Sequence, residues 1–180
     1  RDGSPVEIRP VTPLLDEAGG AADLTRATTA IFYSISNTQS GLRGVSFGDS
    51  LIKRVVETLK AEFPGLKTFA TLSPIPGFRA WLTNNMEPLL GRLDAKARVE
   101  LAQAVGLDLP TASHVLAAAE QPLSLKGDSP VRRLLLQCAA HYLARTLRDG
   151  KPVDPVARFH LGNGARVERL NWAGDPSAKG

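Results

Sequence analysis

Ser73 opens the run Ser73-Pro74-Ile75-Pro76-Gly77-Phe78. Two prolines with locked φ make the position of its hydroxyl rigid, as a group that must meet a substrate requires; a serine that caps a turn is the competing reading. A serine-hydrolase elbow is disfavoured. Gly-x-Ser-x-Gly is absent, and Pro74 lacks the backbone N–H that the residue after such a nucleophile gives to an oxyanion hole. The second candidate is His160, between Phe159 and Leu161 in a stretch, Val156 to Leu161, that reads as a strand. In a strand its ring faces away from both neighbours, and an imidazole near neutrality suits acid–base work. No further His, Cys or acidic residue stands at ligand spacing to it, so no metal site is expected. His114, beside Thr111 and Ser113, and His141, sharing an apolar helix with Cys138 and Tyr142, read as structural; the lone thiol of Cys138 reads as packing.

A third feature suits anions. The loop Gly41-Leu42-Arg43-Gly44-Val45-Ser46-Phe47-Gly48 lies between a strand and a helix that Asp49 or Ser50 can cap. Glycines allow close backbone approach, free N–H groups and the helix dipole favour negative charge, and the Arg43 guanidinium suits phosphate. The spacing fits neither the P-loop nor G-x-G-x-x-G, and an ordinary structural turn is the alternative.

The elements that must position these groups begin with an irregular stretch of about thirty residues carrying Pro5, Pro10 and Pro13, with one strand ending near Ile8. Ala30 to Ser36 is β-branched and aromatic and reads as a buried strand. Apolar positions 51, 52, 55, 56, 59 and 63 make one helical stripe, ended by Pro64-Gly65, and Leu66 to Leu72 is a second strand. Strand, loop, helix, strand implies a right-handed parallel crossover, with Ser73 at a carboxyl strand end, where sites of open α/β sheets lie. Helices are expected over Asp94 to Val105, Thr111 to Ala118 and Pro130 to Arg148. Gly162-Asn163-Gly164 between Val156–Leu161 and Ala165–Trp172 reads as a hairpin turn. The fold class is therefore α/β with a mixed sheet, helices being inserted between the βαβ unit and a C-terminal hairpin.

Composition agrees with one globular domain: 180 residues, 43% hydrophobic and 22% charged, enough to bury a core without a staple. No apolar run nears the roughly 20 residues of a membrane-spanning helix, and no secretory leader is legible. Twenty-two Lys and Arg against 18 Asp and Glu give +4, but the cations are scattered, so a phosphorylated small molecule is favoured over nucleic acid. A chain that opens on Arg1 and holds methionine only at Met86 reads as a fragment or processed product.

Long ungapped runs carry a resemblance. Thr29-Ala30-Ile31-Phe32-Tyr33-Ser34-Ile35-Ser36-Asn37, the loop from Gly41 to Gly48, Leu51-Ile52-Lys53-Arg54-Val55-Val56, Thr68 to Phe78, Phe159-His160-Leu161-Gly162-Asn163-Gly164-Ala165 and Leu170-Asn171-Trp172 resemble the malonyl-CoA decarboxylases, in the expected order from about Thr28 onward. The resemblance implies the catalytic domain of that family, with a GCN5-related acetyltransferase-like fold, here without the N-terminal helical domain and some upstream strands, and ending before the family's C-terminal segment. Exposed edges of such a partial sheet favour a homo-oligomer.

The resemblance also implies conversion of malonyl-CoA into acetyl-CoA and CO2. It places the catalytic residues on Ser73 and His160 and the acyl-CoA loop on Arg43, Gly44, Val45, Ser46, Phe47, Gly48 and Asp49. Ser46 departs from the acidic residue of some members. No metal, biotin or pyridoxal phosphate is implied, and the expected partner is malonyl-CoA, with neither nucleic acid nor membrane, in a bacterial-type cytoplasm. A coenzyme A acyltransferase, or a silent coenzyme A-binding or subunit-interaction fragment, are the alternative readings.

Overall fold

The computed structural model describes residues 27–33 and 47–174, with the backbone alone for 47–50. The chain divides into two compact units, Arg1–Leu72 and Ser73–Gly180.

In the first unit, β1 (Thr29–Tyr33) and β2 (Thr68–Leu72) pair in parallel, from Thr29 opposite Thr68 to Tyr33 opposite Leu72. A parallel pair needs a long crossover, and α1 (Phe47–Glu62) supplies it, as the apolar stripe predicts. Of that stripe, Ile52, Val56, Leu59 and Phe63 are half-buried, whereas Leu51 and Val55 are exposed. Phe32 stacks on Phe69 across the ladder at 6.5 Å between centroids, and the Lys60 ammonium lies 5.5 Å above the Phe69 ring. The helix begins at Phe47, earlier than a cap at Asp49 or Ser50 would set it. The expected strand near Ile8, the end of the first strand at residues 34–36 and the loop from Gly41 to Ser46 lie outside the described residues.

The second unit is mostly helical. Its core joins Leu82, Met86 and Leu90 of α2 (Phe78–Gly91), Leu101 of α3 (Ala95–Val105), Val115 of α4 (Ala112–Ala119), and Val131, Leu134, Leu135 and Cys138 of α5 (Pro130–Arg145). The four-residue spacing of Leu82, Met86 and Leu90 forms one helical face, and burying it holds α2 helical despite Pro88 inside it. Asp94 caps α3 by accepting the Ala97 N–H at 2.8 Å, and Gly106, at φ 70°, ends that helix in the left-handed region.

Two sequence expectations are corrected here. The expected helix to Arg148 stops at Arg145, and β3 (Leu147–Arg148) pairs antiparallel with β4 (Lys151–Pro152). Asp149 and Gly150, with φ of 52° and 70°, form the tight turn between them, because both central residues of such a turn must take positive φ.

The larger correction concerns the C-terminal hairpin. Val156 to Leu161 is not a strand but most of a helix, α6 (Pro155–Gly162), and Ala165 to Trp172 forms no strand. Asp154 accepts the N–H groups of Val156 and Ala157, and Pro155 occupies the first turn, where its missing N–H costs nothing. Asn163-Gly164 closes the helix instead of turning a hairpin. Gly164, at φ 83°, donates to the Leu161 carbonyl at 3.2 Å, and Ala165 donates to the His160 carbonyl at 3.0 Å, which is a Schellman cap. Beyond it Trp172 anchors the chain, its Nε1–H donating to the Pro122 carbonyl at 2.9 Å beneath the Arg132 guanidinium.

Candidate active site

Ser73 follows directly on the last residue of β2, and the segment Ser73–Gly77 leads into α2. Its turn is closed by the Phe78 N–H donating to the Ile75 carbonyl at 3.1 Å, while the Gly77 carbonyl takes the N–H of Trp81 in the first turn of the helix. His160 stands in the last turn of α6. Its place in a helix overturns the alternating-strand orientation, yet the imidazole still finds a partner: Nε2 lies 3.0 Å from Ser73 Oγ. Which atom donates follows from the tautomer. Ser73 is exposed and His160 half-buried, so the pair sits at the surface with the ring partly withdrawn from water. That withdrawal lowers the histidine pKa below its usual value, because burial disfavours the imidazolium. Phe159 supports the ring edge-on at 5.1 Å.

Aromatic contacts join α5 to α2. Tyr142 of α5 contacts Phe78 and Trp81 of α2 at 5.9 and 5.3 Å between centroids. Its hydroxyl faces Asp154 Oδ2 at 3.5 Å, and desolvation followed by this carboxylate raises the phenol pKa. Asp154 is fully buried and also receives the Gly77 N–H on Oδ2 at 3.3 Å.

Of the expected site residues, Ser73 and His160 come together. Arg43, Gly44, Val45 and Ser46 lie outside the described residues; Phe47, Gly48 and Asp49 form the first turn of α1, known by its backbone. His114 is part of a helix cap, its Nδ1 2.8 Å from the Thr111 hydroxyl and accepting the Thr111 N–H at 3.3 Å. The His141 ring stacks on Trp81 at 5.9 Å. Cys138 is buried in the core, and burial pushes its thiol up to about 11. Sequence reasoning missed Asp154 and Gly77. The signal for the first was Asp154-Pro155, a cap residue followed by the residue most favoured at a helix's first position.

A serine hydroxyl within hydrogen-bond distance of a half-buried imidazole, on a mixed α/β chain with small sheets, defines a Ser–His site able to hold and move one proton. Residues 6–180 match the malonyl-CoA decarboxylase C-terminal domain, and the chain belongs to the malonyl-CoA decarboxylase family. It is 39% identical over 165 residues to the mitochondrial malonyl-CoA decarboxylase of Anser anser anser, covering 88% of this chain and 33% of that protein. With the mitochondrial malonyl-CoA decarboxylase of Rattus norvegicus it shares 41% identity over 163 residues, covering 86% and 33%. The chain thus spans about a third of the length of these curated relatives. Among solved structures, malonyl-CoA decarboxylase from Cupriavidus metallidurans superposes with a TM-score of 0.70 at 50% identity, covering 85% of this chain and 38% of that one. The Rhodopseudomonas palustris enzyme gives 0.67 at 44%, covering 95% and 37%. No helix among the described residues is long and apolar enough to cross a membrane.

Proposed function

We propose that this chain carries the decarboxylation of malonyl-CoA to acetyl-CoA and CO2, with Ser73 and His160 as its catalytic residues. The observation that carries the reading is the 3.0 Å approach of two groups 87 residues apart, in a member of the malonyl-CoA decarboxylase family.

The chemistry needs little more. Cleavage of the bond between the α-carbon and the carboxylate releases CO2 and sends the electron pair into the thioester carbonyl, giving an enolate that then takes a proton at the α-carbon. The thioester is the electron sink, so the reaction calls for no biotin, pyridoxal phosphate or metal. The protein must turn the carboxylate out of the thioester plane, stabilise the developing oxyanion and supply the proton. In this reading Ser73 hydrogen-bonds the substrate carboxylate or thioester, and His160 delivers the proton, directly or through the Ser73 hydroxyl. The ring's lowered pKa makes its protonated form the stronger acid, and its half-exposed position lets it recover from solvent the proton that each turnover consumes.

The coenzyme A phosphates are assigned to Arg43 through Asp49, where Phe47, Gly48 and Asp49 begin α1, since the N-terminal end of a helix favours an anion. The β1–α1–β2 crossover is then part of a GCN5-related acetyltransferase-like sheet. The compartment is assigned to a bacterial-type cytoplasm, in keeping with the bacterial sources of the similar solved structures. The test is incubation of the purified chain with malonyl-CoA while acetyl-CoA and CO2 are followed. Release of both in equal amounts is expected. Binding without turnover would make the chain a coenzyme A-binding fragment, and acyl transfer without CO2 would make it an acyltransferase.

A further inference from the structure

Asp154 is the buried charged side chain among the described residues, with no exposure at all. Its two oxygens are divided between two segments of chain. Oδ1 accepts the N–H groups of Val156 at 3.0 Å and Ala157 at 2.9 Å, closing the first turn of the helix that carries His160. Oδ2 accepts the N–H of Gly77 at 3.3 Å, at the end of the segment that starts with Ser73, and faces the Tyr142 hydroxyl. Capping alone does not call for this. Asp94 caps α3 from an exposed position with one N–H bond, and a cap pays no desolvation when it stays in water. Burying a carboxylate is unfavourable unless its lone pairs are filled, and here they are filled from both sides.

Both arms leading out from Asp154 are stiff. Pro74 and Pro76 restrict the backbone from Ser73 to Gly77, and a continuous helix joins Pro155 to His160. The entry to that helix is itself locked, Arg158 donating from Nε to the Pro152 carbonyl at 2.8 Å and from Nη2 to the Val153 carbonyl at 3.2 Å. A shift at Asp154 is therefore passed to both ends of the Ser73–His160 pair.

We infer that Asp154 is a positioning residue: by binding the Gly77 N–H with one oxygen and the first turn of α6 with the other, it sets the separation of Ser73 and His160. The inference rests on the Ser73–His160 reading given above. It is tested by Asp154→Asn, which keeps the size and one accepting oxygen for the helix cap but presents an amide donor to the Gly77 N–H. A second variant, Asp154→Ser, retains a capping hydroxyl too short to reach Gly77. Each is made alone and with Ser73→Ala in the full chain, folding is checked by circular dichroism, and the His160 ring nitrogens are read by 15N NMR.

With Asp154 present, Ser73→Ala shifts the Nε2 resonance by removing its partner; in the folded Asp154 variants the same change leaves the resonance where it is. A folded variant in which Ser73→Ala still produces the full shift overturns the inference. Absence of any shift with Asp154 in place overturns the Ser73–His160 pair itself, and the inference with it, so the two failures are told apart.

Discussion

The Gly77 α-carbon lies against the Tyr142 hydroxyl so closely that a β-carbon there would overlap the phenolic oxygen, with the ring carbon bearing it 3.3 Å away and Asp154 Oδ2 3.6 Å away. Gly77 has φ −86°, so the requirement for glycine is one of space and not of backbone conformation. Gly77→Ala must push the Ser73–Gly77 segment or α5 aside and is expected to cost about 1–3 kcal/mol, as overpacking does. Thermal unfolding of Gly77→Ala, Tyr142→Phe and the double variant checks this. Removing the hydroxyl should restore part of the loss, and strictly additive changes would contradict the contact.

His160→Ala is expected to lower turnover of malonyl-CoA by roughly 10² to 10⁴, the usual worth of a positioned acid. Ser73→Ala should lower it by roughly 10² to 10³, as loss of a hydrogen-bond donor to developing charge does. On the proposal that the two act as one unit, the double variant should fall little below the worse single one. Rates of CO2 release in variants with unchanged circular dichroism decide this, and near wild-type turnover in either single variant removes that residue from the chemistry.

Reversing the charge at Arg43 should weaken coenzyme A binding, on the proposal that the phosphates meet the segment from Arg43 to Asp49. A guanidinium that meets a phosphate contributes a charge-assisted pair, and a glutamate in its place repels the same group. Calorimetric titration with coenzyme A before and after Arg43→Glu reads the effect; an unchanged Kd would place the phosphates elsewhere.

The His160 ring should titrate below the usual histidine value of about 6.5, since burial lowers its pKa. The sign for stability follows. Well above about 6.5 the ring is neutral in both folded and unfolded chains and adds no pH dependence. As pH falls from there, the unfolded chain takes up its proton first, so the folded chain loses stability until its own ring protonates. Following the His160 ring proton by NMR should give a midpoint below that of the denatured chain, and His160→Gln should flatten the fall in urea midpoint on acidification below neutrality. A midpoint at or above that of the denatured chain would contradict the assignment.

Cys138 should be inert in the native chain. With the thiol pushed up to about 11 and packed in the core, thiolate is scarce and access is closed. A disulfide reagent at pH 8 should react slowly with the native chain and quickly in guanidinium chloride; equal rates would mean that this part of α5 opens freely.

Short-range patterns sufficed for much of the architecture. The stripe from Leu51 to Phe63, ended by Pro64-Gly65, marks α1, and two apolar runs separated by that helix leave the parallel pairing of Thr29–Tyr33 with Thr68–Leu72 as the natural arrangement. Asp94, Thr111 and Ser129-Pro130 announce α3, α4 and α5. The stretch 78–91 carried no such announcement. Pro88 and Asn84-Asn85 argue locally against a helix, and α2 forms because Leu82, Met86 and Leu90 bury one face in the core. Asn163-Gly164 misled for a different reason: a glycine at positive φ serves a hairpin and a helix cap equally, and the capped Asp154-Pro155 start tips the stretch toward the helix.

The chemistry-bearing residue types were visible as well, Ser73 behind its prolines and His160 in its signature, because side-chain chemistry is local to each residue. Their 3.0 Å meeting is a matter of packing. It depends on the Asp149-Gly150 turn sending α6 back from the end of α5, on Tyr142 lying against Phe78, and on Asp154 sealed between Gly77 and the start of α6. No periodicity encodes a distance across 87 residues, since that distance is the sum of several buried contacts that exist once the helices have packed.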